Sequence, residues 1–388
     1  MPISNSSCST LATLVLTLVL HLSSGGRLSA QHDPGRDAMR MIAKGELDAA
    51  RQRVAKPPRS QNSPISDAER NYVLAIIDCK ANDPASAIQH LRTAVSLDLP
   101  IERILAGPRE LFTPLRKDAS FDAWIRENSK PLLHGPMLTS LTDTSAEFWV
   151  RTADVATVSV VLTDAATAKP ISATTRPTSD FTGIVVVEGL DPATEYEAQV
   201  SVDGQLQPET SVFKTFPAKG QPARITIGFG GGSGYTPQYN HMWSTIQDQS
   251  LTAFLTLGDN VYIDDPEHAM TQRYCYYRRQ SEPLWKSFVS ATPVFSIYDD
   301  HDFGVNDCIP GPAIDKPAWK RPVWEVFRQN WNNPGFGGGE AQPGCWYDFR
   351  IGDVQFIMLD GRYYRDLKGG SMLGPVQKKW LLETLSQS

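Results

Sequence analysis

The sequence predicts a multidomain chain of three successive classes: α-helical hairpins, then a β-sandwich, then an α/β unit. Three changes of pattern carry that reading. From Asp37 to about Asn128 the apolar positions keep a helical period; from Pro131 to Pro217 short β-rich runs sit between turn residues; from Arg224 onward strands alternate with helices. At 388 residues each unit can bury a core of its own. The expected boundaries are 31–130, 131–219 and 220–388, behind a leader over 1–30.

The leader is read from Leu11 to Leu22, an apolar core too short to span a bilayer comfortably, followed by small residues at Leu28-Ser29-Ala30 for cleavage before Gln31. A secreted or periplasmic protein is expected, with no transmembrane anchor once the leader is removed. That removal takes one basic residue, Arg27, and no acidic one, so the formal charge moves from -6 to -7. Mild acidity argues against a nucleic-acid-coating surface. Cys8 would leave with the leader. Cys79, Cys275, Cys308 and Cys345 remain without any C-x-x-C spacing, so disulfides in three alternative pairings stay open and a thiolate metal cluster is not expected.

In the helical segment, Ser66-Asp67-Ala68-Glu69 has the form of a capping box, and Asp83-Pro84 supplies a cap and a first-turn proline. Ile88, Leu91 and Val95 then share one face. Gly45-Glu46-Leu47-Asp48-Ala49-Ala50 and Asn82-Asp83-Pro84-Ala85-Ser86-Ala87 are alike and begin 37 residues apart, near the period of helix-hairpin repeats. Two such units rarely bury a stable solenoid, so they are expected to pack on a neighbour. A helical spacer is favoured over a peptide-binding groove. In the sandwich, Ala146 to Arg151 and Thr157 to Leu162 read as short strands, and Phe216 to Pro222 as the linker out.

The α/β unit carries the chemistry. Ala253 to Leu257 is an apolar strand broken by Gly258-Asp259, and Pro293 to Tyr298 is a second one, followed by Asp299-Asp300-His301-Asp302 and then Asn306. Strand ends are where open α/β sheets hold ligands. Three carboxylates within four residues repel one another unless a cation compensates, and oxygen donors with an imidazole suit hard cations. Adjacent residues at a strand end point to opposite faces, so one of Asp299 and Asp300 is expected to face a given metal. The glycine tract Gly228 to Gly234 fits neither the Rossmann nor the P-loop spacing, but its backbone N–H groups can cradle a phosphoryl oxygen. Helices are expected over 239–249, over 273–289 with a break at Pro283, over 319–331 and over 375–385, with a hairpin turning at Gly352-Asp353.

Three blocks, Gly258-Asp259-Asn260-Val261-Tyr262, Tyr298-Asp299-Asp300-His301-Asp302 with Asn306, and Leu359-Asp360-Gly361-Arg362-Tyr363-Tyr364-Arg365, together resemble the signature blocks of alkaline phosphatase D (PhoD-like) metallophosphatases. The resemblance covers the 165 residues from Arg224. Upstream, Leu190 to Tyr196 resembles the tyrosine corner of fibronectin type III domains, and the helical segment resembles a tetratricopeptide pair. The resemblance implies an incomplete four-layer metallophosphatase sandwich that hydrolyses phosphate mono- or diesters with divalent or trivalent metal ions, iron with calcium in the family. The family's cysteine ligand after the first strand is replaced here by glycine, so an iron–thiolate bond is not expected; calcium is the expected ion, with iron left open. The family also continues past Leu373 to Leu381 into strands bearing further histidine ligands, whereas this sequence stops at Ser388.

Residue by residue, the resemblance implies Asp259, Tyr262, Asp299, Asp300 and Asn306 as metal ligands, His301 as ligand or general acid, and Arg362 as the charge-stabilising group. Arg365 would bind the phosphate ester substrate. Arg278 and Arg279 are weaker candidates, and His241 and His268 read as surface residues. The rival reading is a secreted binding protein in which the helices and sandwich engage a protein partner and the phosphatase part is vestigial and inactive.

Overall fold

The computed structural model describes residues 33–55, 65–163 and 167–388, so the expected leader lies outside the described residues. Two helical hairpins come first, α1 (Pro34–Ala43) with α2 (Leu47–Ala55) and α3 (Asp67–Lys80) with α4 (Pro84–Ser96). Asp33, Ser66 and Asp83 each accept the backbone N–H three residues on, and Pro34 and Pro84 occupy first turns. The expected capping box at Ser66 is only half made. Ser66 Oγ accepts from Glu69 N at 3.1 Å, but the Glu69 carboxylate turns inward to a bidentate pair with Arg103, because a buried cation holds it more strongly than a backbone N–H. Shorter helices α5 (Ile101–Ala106), α6 (Arg109–Phe112) and α7 (Ala119–Glu127) complete this part. Leu91 is buried in α4, with Ile88 and Val95 half-buried beside it.

Eight strands follow: β1 (Leu132–Thr139), β2 (Ser145–Thr152), β3 (Thr157–Leu162), β4 (Lys169–Ile171), β5 (Ala173–Thr174), β6 (Thr182–Glu188), β7 (Glu195–Val202) and β8 (Gln205–Lys214). They form two antiparallel sheets in the orders β1-β2-β6-β4 and β5-β3-β7-β8. Inward positions alternate as the pleat requires: Val158 and Val160 are buried while Val161 is exposed, and Val185 and Val187 face Phe148 and Phe213 in the same core. The Tyr196 hydroxyl accepts the Asp191 backbone N–H at 2.8 Å, the structural part expected of it.

Beyond the linker, β9 (Ile227–Gly230), β10 (Ala253–Leu257) and, further on, β11 (Val294–Ile297) make a parallel sheet in the order β11-β10-β9. Between them lie α8 (Met242–Gln247), α9 (Ala269–Gln280) and α10 (Pro283–Ala291), the last two divided at Pro283 as the sequence requires. The pleat sorts the side chains. Phe254 and Val294 pack on the helical side with Phe288, and Ala253, Leu255 and Phe295 join the sandwich core. The first turn of a short helix α11 (Asp300–Phe303) follows β11, then α12 (Lys320–Asn330), the hairpin β12 (Tyr347–Ile351) with β13 (Val354–Met358), and α13 (Gly374–Ser386). Phe349 of the hairpin stacks on Phe295 with ring centroids 3.7 Å apart and an interplanar angle of 1°.

One core runs through the helical part and the α/β part: Met39 and Ile42 of α1 lie with Tyr274 and Cys275 of α9. The hairpins therefore borrow a hydrophobic partner, as two units without a core of their own must. Asp299 to Asp302 is not a strand end with alternating faces. Asp299 caps α11 and the Asp302 carboxylate returns to the Asp299 N–H at 3.1 Å, so the local capping bonds set the direction of these side chains. Cys79, Cys275, Cys308 and Cys345 are all free thiols.

Candidate metal centre

Gly258 decides how closely the two strand ends meet. Its φ is 95°, and an added Cβ would lie 2.5 Å from Asp299 Cβ and 2.7 Å from Asp299 N, so only a residue without a side chain lets β10 end against α11. Asp302 then stitches the two loops together, its carboxylate accepting the N–H groups of Asn260 at 3.1 Å and Val261 at 2.9 Å. The result is a cluster in which ligand atoms of Asp259, Asp300 and His301 all lie within 4.8 Å of one another.

Burial raises the Asp259 carboxyl above its ordinary value; His301 opposes this, while the charges of Asp300 and Asp299 push the same way as burial. Asp300 is also disfavoured by burial, but the Asp307 N–H and the Arg362 guanidinium outweigh that and hold it below the usual carboxylate range. Burial pushes the Tyr262 hydroxyl up, and the neighbouring Asp259 carboxylate adds to the effect. Asp302, sealed in the interior, is pushed up to about 8, chiefly by burial.

Of the residues expected at the site, Asp259 and Asp300 converge, and His301 joins them. Tyr262 stacks on the His301 ring with centroids 4.3 Å apart. Asp299 is turned to Arg362 Nε, and Arg362 Nη2 lies 3.3 Å from Asp300 Oδ1, so the guanidinium spans both acids. Asn306 is exposed and its amide donates to Asp307 at 2.8 Å. Arg365 is half-buried. Arg278 pairs with Asp33 and covers the Tyr235 ring. His241 is exposed, and half-buried His268 meets Asp265 at 2.7 Å.

Three further acids support the cluster; Asp302 and Asp360 lie within the three sequence blocks without an assigned role, and Asp264 lies outside them. Asp264 Oδ1 meets His301 Nδ1 at 2.5 Å. Asp302 is the stitch already described. Asp360 is buried and accepts the N–H groups of Arg362 at 2.8 Å and Tyr363 at 2.9 Å, which sets where Arg362 leaves the chain. The only local signal for Asp264 was its place two residues after Tyr262.

The glycine tract runs beside the cluster. Ser233 N donates to the Asp259 carbonyl at 2.9 Å, and a Cβ on Gly232 would stand 3.6 Å from the Tyr262 hydroxyl. Arg279 holds the tract through Ser233 Oγ at 2.7 Å and Ser233 O at 2.6 Å, and burial lowers this arginine to about 10. On the other side of the tract is a cleft of about 580 Å³ lined by Trp243, Trp285, Trp331, Phe254 and Arg279.

Two carboxylates and an imidazole, with no thiol among them, fit a hard or borderline cation, and a bound cation would offset the burial and the neighbouring acids that raise Asp259. Fold and site together define a class: an α/β chain with a carboxylate–histidine centre where two parallel strands end. A solved structure described as the structure of PhoD is similar, with a TM-score of 0.54 at 18% identity over 64% of this chain. The chain spans 58% of that structure's length, and at this identity the likeness establishes a shared fold. The sensor domain of the anti-sigma factor RsgI4 from Pseudobacteroides cellulosolvens matches 23% of this chain and 97% of its own at 17% identity, with a TM-score of 0.17, too slight a likeness to bear on the fold. A family model described as a domain of unknown function, DUF7800, matches residues 129–218. No curated protein matches the chain.

Proposed function

We propose that the chain is an exported, metal-dependent phosphoric ester hydrolase acting on phosphate mono- or diesters. The observation that carries the reading is the convergence of Asp259, Asp300 and His301 at the ends of two parallel strands, on a PhoD-like fold. These three residues would hold the cation, with Tyr262 and Asn306 proposed as further donors. The two carboxylates suit calcium, and the imidazole beside them equally admits iron. When bound, a cation there supplies Lewis-acid polarisation of a phosphoryl oxygen and an acidified water.

The chain's own residues supply the rest. Arg362, poised over Asp299 and Asp300, presents a guanidinium to the charge that builds on the phosphoryl oxygens. Arg365 would engage a substrate oxygen. His301, oriented by Asp264, is proposed to protonate the departing alkoxide when it is not itself a ligand. The apolar cleft behind the glycine tract has room for an aromatic ester group.

The test is turnover of an aryl phosphate monoester and diester with calcium, with and without chelator. Activity that a chelator abolishes, and that Asp259→Asn and Asp300→Asn lose, supports the proposal. A folded protein with bound calcium and no turnover of either ester would refute it.

A further inference from the structure

Arg36 carries the amino-terminal hairpins to the centre. Arg36 lies on α1 with its side chain 7% exposed, and its Nη1 donates to Asp264 Oδ2 at 2.9 Å and to the Tyr262 carbonyl at 3.3 Å. Asp264 uses its other oxygen on His301 Nδ1. A carboxylate there fixes the proton on Nδ1 and leaves the Nε2 lone pair for a ligand, the arrangement by which a histidine is oriented toward a metal. The approach of α1 is itself fixed: a Cβ on Gly35 would fall 2.1 Å from the Tyr274 hydroxyl, so the glycine lets α1 seat directly on α9. The other acids around Arg36 have further cations, Asp33 with Arg278 and Asp37 with Arg53. Losing the guanidinium would therefore leave those acids paired and strip Asp264 of its arginine.

We propose that Arg36 is a positioning residue for the carboxylate–histidine centre, holding Asp264 against His301, so that the helical hairpins belong to the working site and are not a spacer. The proposal rests on reading the Asp259, Asp300 and His301 cluster as a cation site.

The full chain and its Arg36→Met, Arg36→Lys and Asp264→Asn variants are titrated with Ca²⁺ alone by calorimetry. The His301 ring nitrogens are followed by ¹⁵N NMR in metal-free protein, and thermal unfolding is recorded alongside. Arg36→Met is expected to weaken the Ca²⁺ Kd by about 10–100-fold, the usual effect of losing an outer partner of a ligand. Arg36→Lys should recover part of it, because an ammonium still meets Asp264. An unchanged Kd with a lower melting temperature would mean a purely structural arginine and overturn the proposal. Should the wild type bind no Ca²⁺, the cation reading fails by itself and NMR decides the relay. One Nδ1–H tautomer in the wild type and a mixture in Arg36→Met supports it; the same tautomer in both overturns it. Where Arg36→Met does not fold, Asp264→Asn keeps the side-chain shape and carries the same two readouts.

Discussion

Replacing Arg103 by methionine tests the buried charge chemistry that ties the helical part together. Arg103 Nη1 and Nη2 each lie 2.9 Å from a Glu69 oxygen, and both side chains are 3% exposed. The guanidinium also lies 4.6 Å from the Tyr72 ring centroid, and the Tyr274 hydroxyl donates to Glu69 at 2.5 Å. Methionine fills the stem volume but leaves the carboxylate buried with that hydroxyl as its closest remaining donor. Breaking a buried pair from one side costs about 3–5 kcal/mol, and with Tyr274 still donating the loss should fall near 3 kcal/mol. Replacing both partners, Arg103→Met with Glu69→Leu, removes the stranded charge and should sit within about 1 kcal/mol of wild type.

The pH dependence has a definite sign. Burial opposes ionisation of Glu69, but Arg103 and then Arg278 outweigh it and hold the carboxyl below its ordinary value. The wild-type contribution is therefore present above the unfolded carboxylate pKa of about 4.3 and is lost as pH falls through the folded value. Urea unfolding at pH 7 and pH 4 measures both effects. A single variant costing less than about 1 kcal/mol at pH 7, or a double variant as damaged as the single, would refute the reasoning.

Gly258→Ala should cost more than about 2 kcal/mol, because its Cβ meets Asp299 and its φ is unfavourable for alanine. Calcium titration should show the site lost even in whatever fraction folds. Tyr196→Phe removes the acceptor of the Asp191 N–H and should lower stability by about 1–2 kcal/mol without changing ester turnover, as denaturation and an activity assay together will show. Calcium at 100 times its Kd should stabilise the wild type by about 2.7 kcal/mol and leave Asp259→Asn unmoved in the same melt.

Local signals in the sequence located the strand ends, because Gly258-Asp259 and the Asp299 to Asp302 run announce a turn and a charge cluster whatever surrounds them. They also gave the caps at Ser66 and Asp83, the Tyr196 corner and the hairpin at Gly352. Each of these rests on bonds between residues a few positions apart. That one of Asp299 and Asp300 faces the cluster agrees with the sequence expectation, but the cause is a capped helical turn and not the alternation of a strand.

By itself, then, the sequence determined the main helical segments, several strands with the hairpin at Gly352, and the charged runs at two strand ends, since these follow from short-range hydrogen bonding and apolar period. Only the tertiary structure decided which groups meet: that Asp300 rather than Asp299 faces Asp259, that Arg362 straddles both acids of β11's end, and that Arg36 reaches Asp264 across 228 residues of chain. Contacts at such separation depend on how α1 seats on α9, and no periodicity or motif within either helix encodes that docking.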